Sequence, residues 1–487
     1  SNGLPAFGPV ALTSGVPGPQ LPLQTGLNRI GLNVTAEDGT ELGYDLVVFR
    51  ESPSSGGSDG GGNGGGSGAG GGAGGDVPTP STSGVKTTLS GQTLSGVATE
   101  RETPNGLAVS IRTEAFLERL AAGTDKPSII VEADGTNANL LVELTGSIVQ
   151  AMENRSATLE VRTSIGSYRI PAAALDIATL SKRVGGQNAL NEVIVRISIA
   201  KADGTKYGHP NVVGHPIEFS VIADYAGAHA EIEEFAGYVE RVLPIPTGTD
   251  SVTTAVVLEP DGTIRHVPTR IETIGGQRSA IASSLTNSVY ALVLHSSAFQ
   301  DVANHWAKSE INDLASRLIV RGNDNGEFLP GASVTRAEFA AILTRALGLP
   351  ERGAGSTGYS DVAANAWYAG AAAQARKYGI VEGDGQGKFR PSAAITREEA
   401  AVMLARAMKL TGLNDGGAAS DSFVSEKLAE FRDAGDVSPW ARQALALGIH
   451  ERLLQGNQAA LLPKNAITRA ETAVIVSRLL QRSGLID

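Results

Sequence analysis

Three short stretches near the C-terminal end combine residues that could do chemistry: Thr335-Arg336-Ala337-Glu338, Thr396-Arg397-Glu398-Glu399 and Thr468-Arg469-Ala470-Glu471. Thr just before a helix and Glu three residues on form a capping box. Thr335 with Glu338, Thr396 with Glu399 and Thr468 with Glu471 would each satisfy orphan amides of a first helical turn. The Arg is the odd member, because a cation there opposes the positive end of the helix dipole, at about 0.3–1 kcal/mol. An anion site would use such an arginine, with guanidinium and free first-turn amides converging on a carboxylate or phosphate. Equally, Arg336, Arg397 and Arg469 could each pair with a carboxylate of a neighbouring copy. Arg345, Arg406 and Arg478, nine residues later, fall at the far helix ends, where a cation suits the dipole, and read as structural.

These motifs close a repeat. Its copies open at Phe299-Gln300-Asp301, Tyr359-Ser360-Asp361 and Phe431-Arg432-Asp433, with 34, 35 and 35 residues from Asp to the capping Thr. Trp306, Trp367 and Trp440, the only tryptophans of the chain, share nearly one phase. A helical stretch, a glycine (Gly322, Gly383, Gly456) and a proline (Pro330, Pro391, Pro463) follow. The capped helices carry an apolar stripe, Phe339, Ile342, Leu343 and Ala346 in the first copy, that a lone helix could not keep dry. Asp301, Asp361 and Asp433 read as caps at the starts of the first helices.

The constellation resembles the S-layer homology domain in its usual triple form, over about residues 299–485. The resemblance implies an all-α pseudo-trimer in which one helix from each copy enters a central three-helix bundle. It also implies grooves that bind the pyruvylated secondary cell-wall polymer of Gram-positive bacteria, whose ketal carboxylate is the anion the arginines would meet. Carried over, the polymer contacts are Arg336, Arg397 and Arg469, with Gly322, Gly383 and Gly456 letting backbone approach the sugar. Trp306, Trp367 and Trp440 would offer a face to a sugar ring, or else pack the first helix on the bundle. Glu398 replaces the usual Ala and puts a negative charge beside Arg397. The third loop, Gly456 to Pro463, is one residue shorter and lacks the aromatic seen at Phe328 and Phe389. The third groove is therefore expected to be weak and the Arg336 site to rank first.

Upstream, the sequence turns to β character. Ile30, Leu32 and Val34 alternate, Glu37-Asp38-Gly39-Thr40 is a turn and Tyr44–Phe49 is extended, as in a hairpin. This stretch resembles the closing hairpin of bacterial cadherin-like β-sandwich domains. Fourteen glycines between Gly56 and Gly75 mark a tether that cannot bury a core, with an r.m.s. span of roughly 24–29 Å. Residues 84–297 give short strands with little helix and suggest sandwich-like modules. They are similar to the segment preceding S-layer homology triplets in surface proteins of Paenibacillus-like bacteria. The expected segments are 1–52, a truncated sandwich end; 53–83, the linker; 84–223, a mixed, mostly-β module; 224–297, a β module; and 298–350, 351–415 and 416–487, the repeats. The fold class is thus multidomain, β-sandwich-like modules followed by an all-α triplet.

The 487 residues imply about three domains, at roughly 100–200 residues each. Zero cysteine removes thiol nucleophiles, disulfides and Cys-ligated metals. A net charge of −11 leaves no domain-wide basic face for nucleic acid. No apolar run reaches the ~18 residues of a membrane span. Ser1 to Pro5 carries neither an initiator Met nor a leader pattern, so the chain is expected to be a mature product or a fragment. None of HExxH, GxSxG, a P-loop or a dinucleotide fingerprint occurs. His209 and His215 read as turn residues rather than a metal pair, and Asn323 to Glu327 lacks the EF-hand pattern. The sequence therefore predicts a non-enzymatic exported surface protein without cofactor or metal. It would be anchored non-covalently to pyruvylated wall polysaccharide outside a Gram-positive-type cell, with self-assembly on the surface open. The alternatives are the anchor half of a wall-associated polysaccharide hydrolase, or an adhesin whose active domain lies upstream.

Overall fold

A computed structural model describes residues 84–487 apart from 134–137, 205–206, 208, 250, 260, 352–355, 415–418 and 457, together with the backbone of two upstream strands. The chain divides into two units, Ser1–Thr79 and Pro80–Asp487. In the first, Gly26–Thr35 pairs antiparallel with Glu41–Arg50, Gly26 opposite Arg50 and Thr35 opposite Glu41. The expected hairpin is therefore present. Its turn at residues 37–40, the glycine-rich tether and the first 25 residues lie outside the described residues.

In the second unit, residues 84–297 build two sheets. One runs Thr269–Ile274, Gln277–Thr286, Glu234–Pro244, Gly166–Pro171, Thr158–Thr163, Ser128–Ala133, Val85–Leu89 and Gln92–Thr93 in spatial order. The other runs Ile264–Val267, Thr254–Leu258, Ser288–Val293, Val212–Tyr225, Ile194–Lys201, Leu140–Thr145, Gly106–Ile111 and Ala98–Thr103. Ala228–Glu231 pairs with Val212–Tyr225 beside that second path. Most pairings are antiparallel, but 106–111 lies parallel to 140–145, and 128–133 parallel to 158–163. Helices α1 (Thr113–Ala122), α2 (Gly146–Asn154) and α3 (Ile177–Arg183) sit in the connections. Val131, Leu159 and Val239 of one sheet meet Val142, Val195 and Phe219 of the other in one apolar core. The boundary expected near residue 224 therefore falls within shared sheets, since both draw strands from either side of it. Strand Gln277–Thr286 is not expected from the sequence, because its Ser and Ala residues have little β propensity. Burial of every residue from Ser279 to Thr286 holds it in place.

The C-terminal part is helical: α4 (Lys308–Ser316), α5 (Arg336–Ala346), α6 (Ala369–Lys377), α7 (Arg397–Leu410), α8 (Asp421–Leu428), α9 (Arg442–His450) and α10 (Arg469–Arg482). α5, α7 and α10 are the capped helices of the three copies, and α8 is an extra helix before the third. Phe339, Leu343, Leu404, Ala407, Val476 and Leu479 belong to one buried core. At the helix starts, backbone alone closes a ring through three fully buried residues. Ile395 donates its N–H to Val334 at 2.9 Å, Val334 to Ile467 at 3.0 Å and Ile467 to Ile395 at 3.1 Å.

The β region is docked on this helical part. Leu285 joins the helical core, and the Tyr238 hydroxyl donates to the Leu347 carbonyl at 2.9 Å. Arg265 donates to the Gly348 carbonyl, Arg317 to that of Thr269 at 2.9 Å, and Ile271 donates its N–H to the Asp487 carboxylate at 2.9 Å. Lys377 pairs with Glu234, so all three copies touch the sheets. Gly348 is required there: φ is +67°, and a Cβ would lie 2.9 Å from Pro268 Cδ.

Candidate functional site

Each capping box forms as the spacing predicts. Thr335, Thr396 and Thr468 accept from the N–H of Glu338, Glu399 and Glu471, and each Glu carboxylate accepts from the Thr N–H at 2.8–2.9 Å. The other first-turn amides are not free. Arg336 and Ala337 donate their N–H groups to the Ala393 and Pro391 carbonyls of the second copy, at 2.9 and 3.1 Å. Arg397 and Glu398 donate to Asn465 and Pro463 of the third, and Arg469 and Ala470 to Ala332 and Pro330 of the first. The recurring proline thus supplies an acceptor to the preceding copy's helix, and the expectation of free amides for an anion is corrected. An anion here would have to be met by groups other than these first-turn amides.

The arginines follow the same rotation. Nε of Arg336 donates to the Phe389 carbonyl at 3.0 Å and its guanidinium lies 3.7 Å from Glu399. Nε of Arg397 donates to Leu461 at 2.9 Å, and its guanidinium pairs with Glu471. Nε of Arg469 donates to Phe328 at 2.7 Å, Nη2 donates to the Arg321 carbonyl at 2.6 Å, and the guanidinium stacks 4.6 Å from the Phe328 ring centre. Two of the three thus make the inter-copy ion pair considered as the alternative to an anion site. Arg469 has no carboxylate within ion-pairing distance among the described residues. Burial pushes its guanidinium pKa down from the ordinary value, with Glu338 and Asp301 opposing.

Arg469 opens on a groove of about 410 Å³. The wall comprises Arg321-Gly322-Asn323 and the α5 residues Glu338, Ile342 and Arg345 of copy one, Trp367 of copy two and Arg469 of copy three. No single copy owns this site. Arg345, read from sequence as structural, lines it, and so do Arg321 and Leu329, which sequence reasoning missed. The available signal was the residue preceding the loop glycine, which differs among the copies.

The S-layer homology domain matches residues 298–340, 358–401 and 430–473. The chain carries three S-layer homology domains. It is similar to the amylopullulanase of Thermoanaerobacterium thermosulfurigenes, 36% identical over 222 residues, which is 44% of this chain and 11% of that protein. With the surface-layer 125 kDa protein of Lysinibacillus sphaericus it shares 35% over 180 residues, 36% of this chain and 14% of that one. With S-layer protein sap of Bacillus anthracis it shares 29% over 213 residues, 42% and 25% of the two chains. The chain thus spans from 11% to 25% of the length of these relatives. The domains and the S-layer relatives indicate a bacterial cell-surface or wall-attached protein, and imply wall anchoring. Among the described residues no helix is long and apolar enough to cross a membrane.

Within each S-layer homology domain the opening Asp does not cap a helix, contrary to expectation. Its two carboxylate oxygens accept from consecutive amides some 28 residues on: Phe328 and Leu329 for Asp301, Phe389 and Arg390 for Asp361, Leu461 and Leu462 for Asp433. To aim both amides inward, Leu329, Arg390 and Leu462 take left-handed backbone, with φ of 57°, 61° and 53°. The loop glycines serve the domain's own packing. A Cβ would meet the opening ring at 2.7 Å from Phe299 for Gly322, 3.0 Å from Tyr359 for Gly383 and 2.4 Å from Phe431 for Gly456.

The tryptophans do not pack on the helical core. Trp306, Trp367 and Trp440 are 66%, 62% and 57% exposed, the largest apolar side chains so presented. Glu398 is a further correction, because it turns from Arg397 and is buried at 3% exposure. Its carboxylate accepts from Ser438 N–H at 3.1 Å and from Lys464 Nζ at 2.7 Å, bracing the turn before Trp440. In the third domain buried Leu461 stands where Phe328 and Phe389 stand, and the carbonyl contact to Arg397 is kept.

Proposed function

We propose that the three domains anchor an exported, non-enzymatic surface protein non-covalently to pyruvylated secondary cell-wall polysaccharide of a Gram-positive-type bacterium. The observation that carries this is one groove holding a guanidinium without a carboxylate partner, Arg469, beside a tryptophan face, Trp367. A cation and an exposed aromatic face are what an acidic sugar requires: charge-assisted hydrogen bonds for its carboxylate, apolar contact for its ring. The backbone ring that closes the three copies also fits a central three-helix bundle with grooves between copies. The upstream hairpin fits the end of a cadherin-like sandwich, and surface self-assembly is compatible with the S-layer relatives.

The test is co-sedimentation of the whole chain with wall sacculi, before and after removal of the pyruvyl groups. Retention should be lost on depyruvylated sacculi and in a Trp306, Trp367, Trp440→Ala variant. Undiminished binding to depyruvylated sacculi would overturn the carboxylate reading. A second reading, the anchor segment of a wall-associated polysaccharide hydrolase, draws on the relative named amylopullulanase. Release of reducing sugar from wall glycan by the purified chain would favour it.

A further inference from the structure

The charged surroundings of the three arginines differ at the residue before the loop glycine (Arg321, Glu382, Gln455), at the residue after it (Asn323, Asp384, Asn457), and where Leu329 of the first copy is matched by Arg390 and Leu462. In the first groove Arg321, Arg345 and Arg469 converge, with Glu338 the one carboxylate in the lining. Arg345 is held from outside that lining by Glu351, Nε to Oε1 at 3.3 Å. Arg321 and Arg469 have no carboxylate within ion-pairing distance among the described residues. In the second, Glu382 pairs with Arg406 across the equivalent position, while Arg336 faces Glu399. There the guanidinia of Arg336, Arg406 and Arg390 are balanced by the carboxylates of Glu399, Glu382 and Asp384. In the third, Arg478 donates to the Gln455 side-chain oxygen at 3.2 Å and Arg397 pairs with Glu471, leaving an intermediate balance.

We propose that the residue before the loop glycine selects which groove takes the acidic glycan: Arg321 makes the first groove the principal site, and Glu382 neutralises the second. This rests on the wall-anchoring function above and replaces the expectation that the Arg336 site ranks first. The physical reason is charge. The Arg406–Glu382 pair, with its carboxylate exposed, adds little stability, yet it cancels the field an incoming carboxylate would feel. Arg321 is exposed and gives Arg469 its backbone carbonyl, not its side chain, so replacing the side chain leaves the ring of inter-copy contacts in place. The second and third grooves retain the same scaffold and differ in net charge.

The experiment titrates the full chain with short fragments of pyruvylated wall polysaccharide and reads tryptophan fluorescence in single-tryptophan variants. Trp367 alone reports the first groove, and Trp440, its counterpart one copy on, reports the second. The Trp367 reporter should saturate at lower fragment concentration than the Trp440 reporter. Arg321→Glu should raise the Trp367 midpoint about tenfold, Arg321→Lys should leave it near the starting value, and Glu382→Arg should lower the Trp440 midpoint. If fragments bind but Arg321→Glu leaves the Trp367 midpoint unchanged, the selection by this residue is wrong and wall anchoring stands. If no reporter responds to fragments and sacculi are not retained, wall anchoring itself fails and the selection with it.

Discussion

One carboxylate of Glu399 closes the start of its own helix, accepting the Thr396 N–H at 2.9 Å, and also lies 3.7 Å from the guanidinium of Arg336 in the preceding copy. Glu471 does the same for Thr468 and Arg397. A motif that reads as local helix capping is therefore also the joint between copies. Loss of either carboxylate should disturb two domains together.

Glu398→Ala leaves Lys464 and Ser438 facing a buried gap, so it should cost about 1–3 kcal/mol, less than a fully buried pair because Lys464 is half exposed. Denaturant unfolding of Glu398→Ala, Lys464→Ala and the double variant measures the coupling. Strict additivity of the two would show that the pair does not brace the Trp440 turn.

Gly456→Ala places a methyl 2.4 Å from Phe431 Cε1 and 2.9 Å from the Ala460 carbonyl, and should cost about 1–3 kcal/mol of overpacking. Gly331→Ala, with nothing within 4 Å of its Cβ, is the matched control and should be near neutral. Thermal melts of the two variants give the comparison.

Replacing Trp306, Trp367 and Trp440 by Ala should change stability by no more than about 0.5 kcal/mol each, because all three are exposed. Wall retention should nevertheless fall. A large drop in melting temperature would instead assign the rings a packing role.

Asp361 and Asp433 are desolvated, which disfavours their charge, yet two backbone amides each hold their carboxyls below the ordinary carboxylate value. A depressed carboxylate stabilises the fold above its unfolded pKa, about 3.9. That contribution should vanish as the pH falls through the lower folded value. Asp361→Asn should flatten the acid limb of the stability curve, read by urea midpoints between pH 5 and pH 2.

His266 sits where the sheets meet the first domain, with Nδ1 3.2 Å from the Thr254 hydroxyl and Nε2 unpartnered among the described residues. Burial, then the charges of Arg317 and Arg265, lower its pKa well below the ordinary value. The unfolded chain takes up this proton first, so the neutral ring supports stability above about pH 6.5. Acidification should then remove about 1.4 kcal/mol per pH unit until the folded ring protonates. His266→Gln should lack that slope between pH 7.5 and pH 5 in calorimetry.

The repeat, its capping boxes, most strands of residues 84–297 and the helical switch after residue 298 were legible because each depends on neighbours within a few residues. The strand Gln277–Thr286 was not, since its small polar residues are held by burial between strands distant in sequence. The roles of Asp301, Asp361 and Asp433 were also hidden. Their partners are amides some 28 residues away, in loops whose left-handed backbone no local signal announces.

By itself the sequence determined that Thr335, Thr396 and Thr468 begin helices, that three copies of one motif exist, and that Arg and Trp recur where a glycan-binding surface could use them. Those properties follow from short-range geometry and composition. Only the tertiary structure decided that the arginine of one copy serves the loop of the next, so that Arg469, Trp367 and Arg321 share a groove. The cause is the closed backbone ring of Val334, Ile395 and Ile467, which rotates every contact by one copy. A cyclic exchange of partners leaves no trace in any one repeat, because all three carry the same motif and only packing fixes which copy completes which.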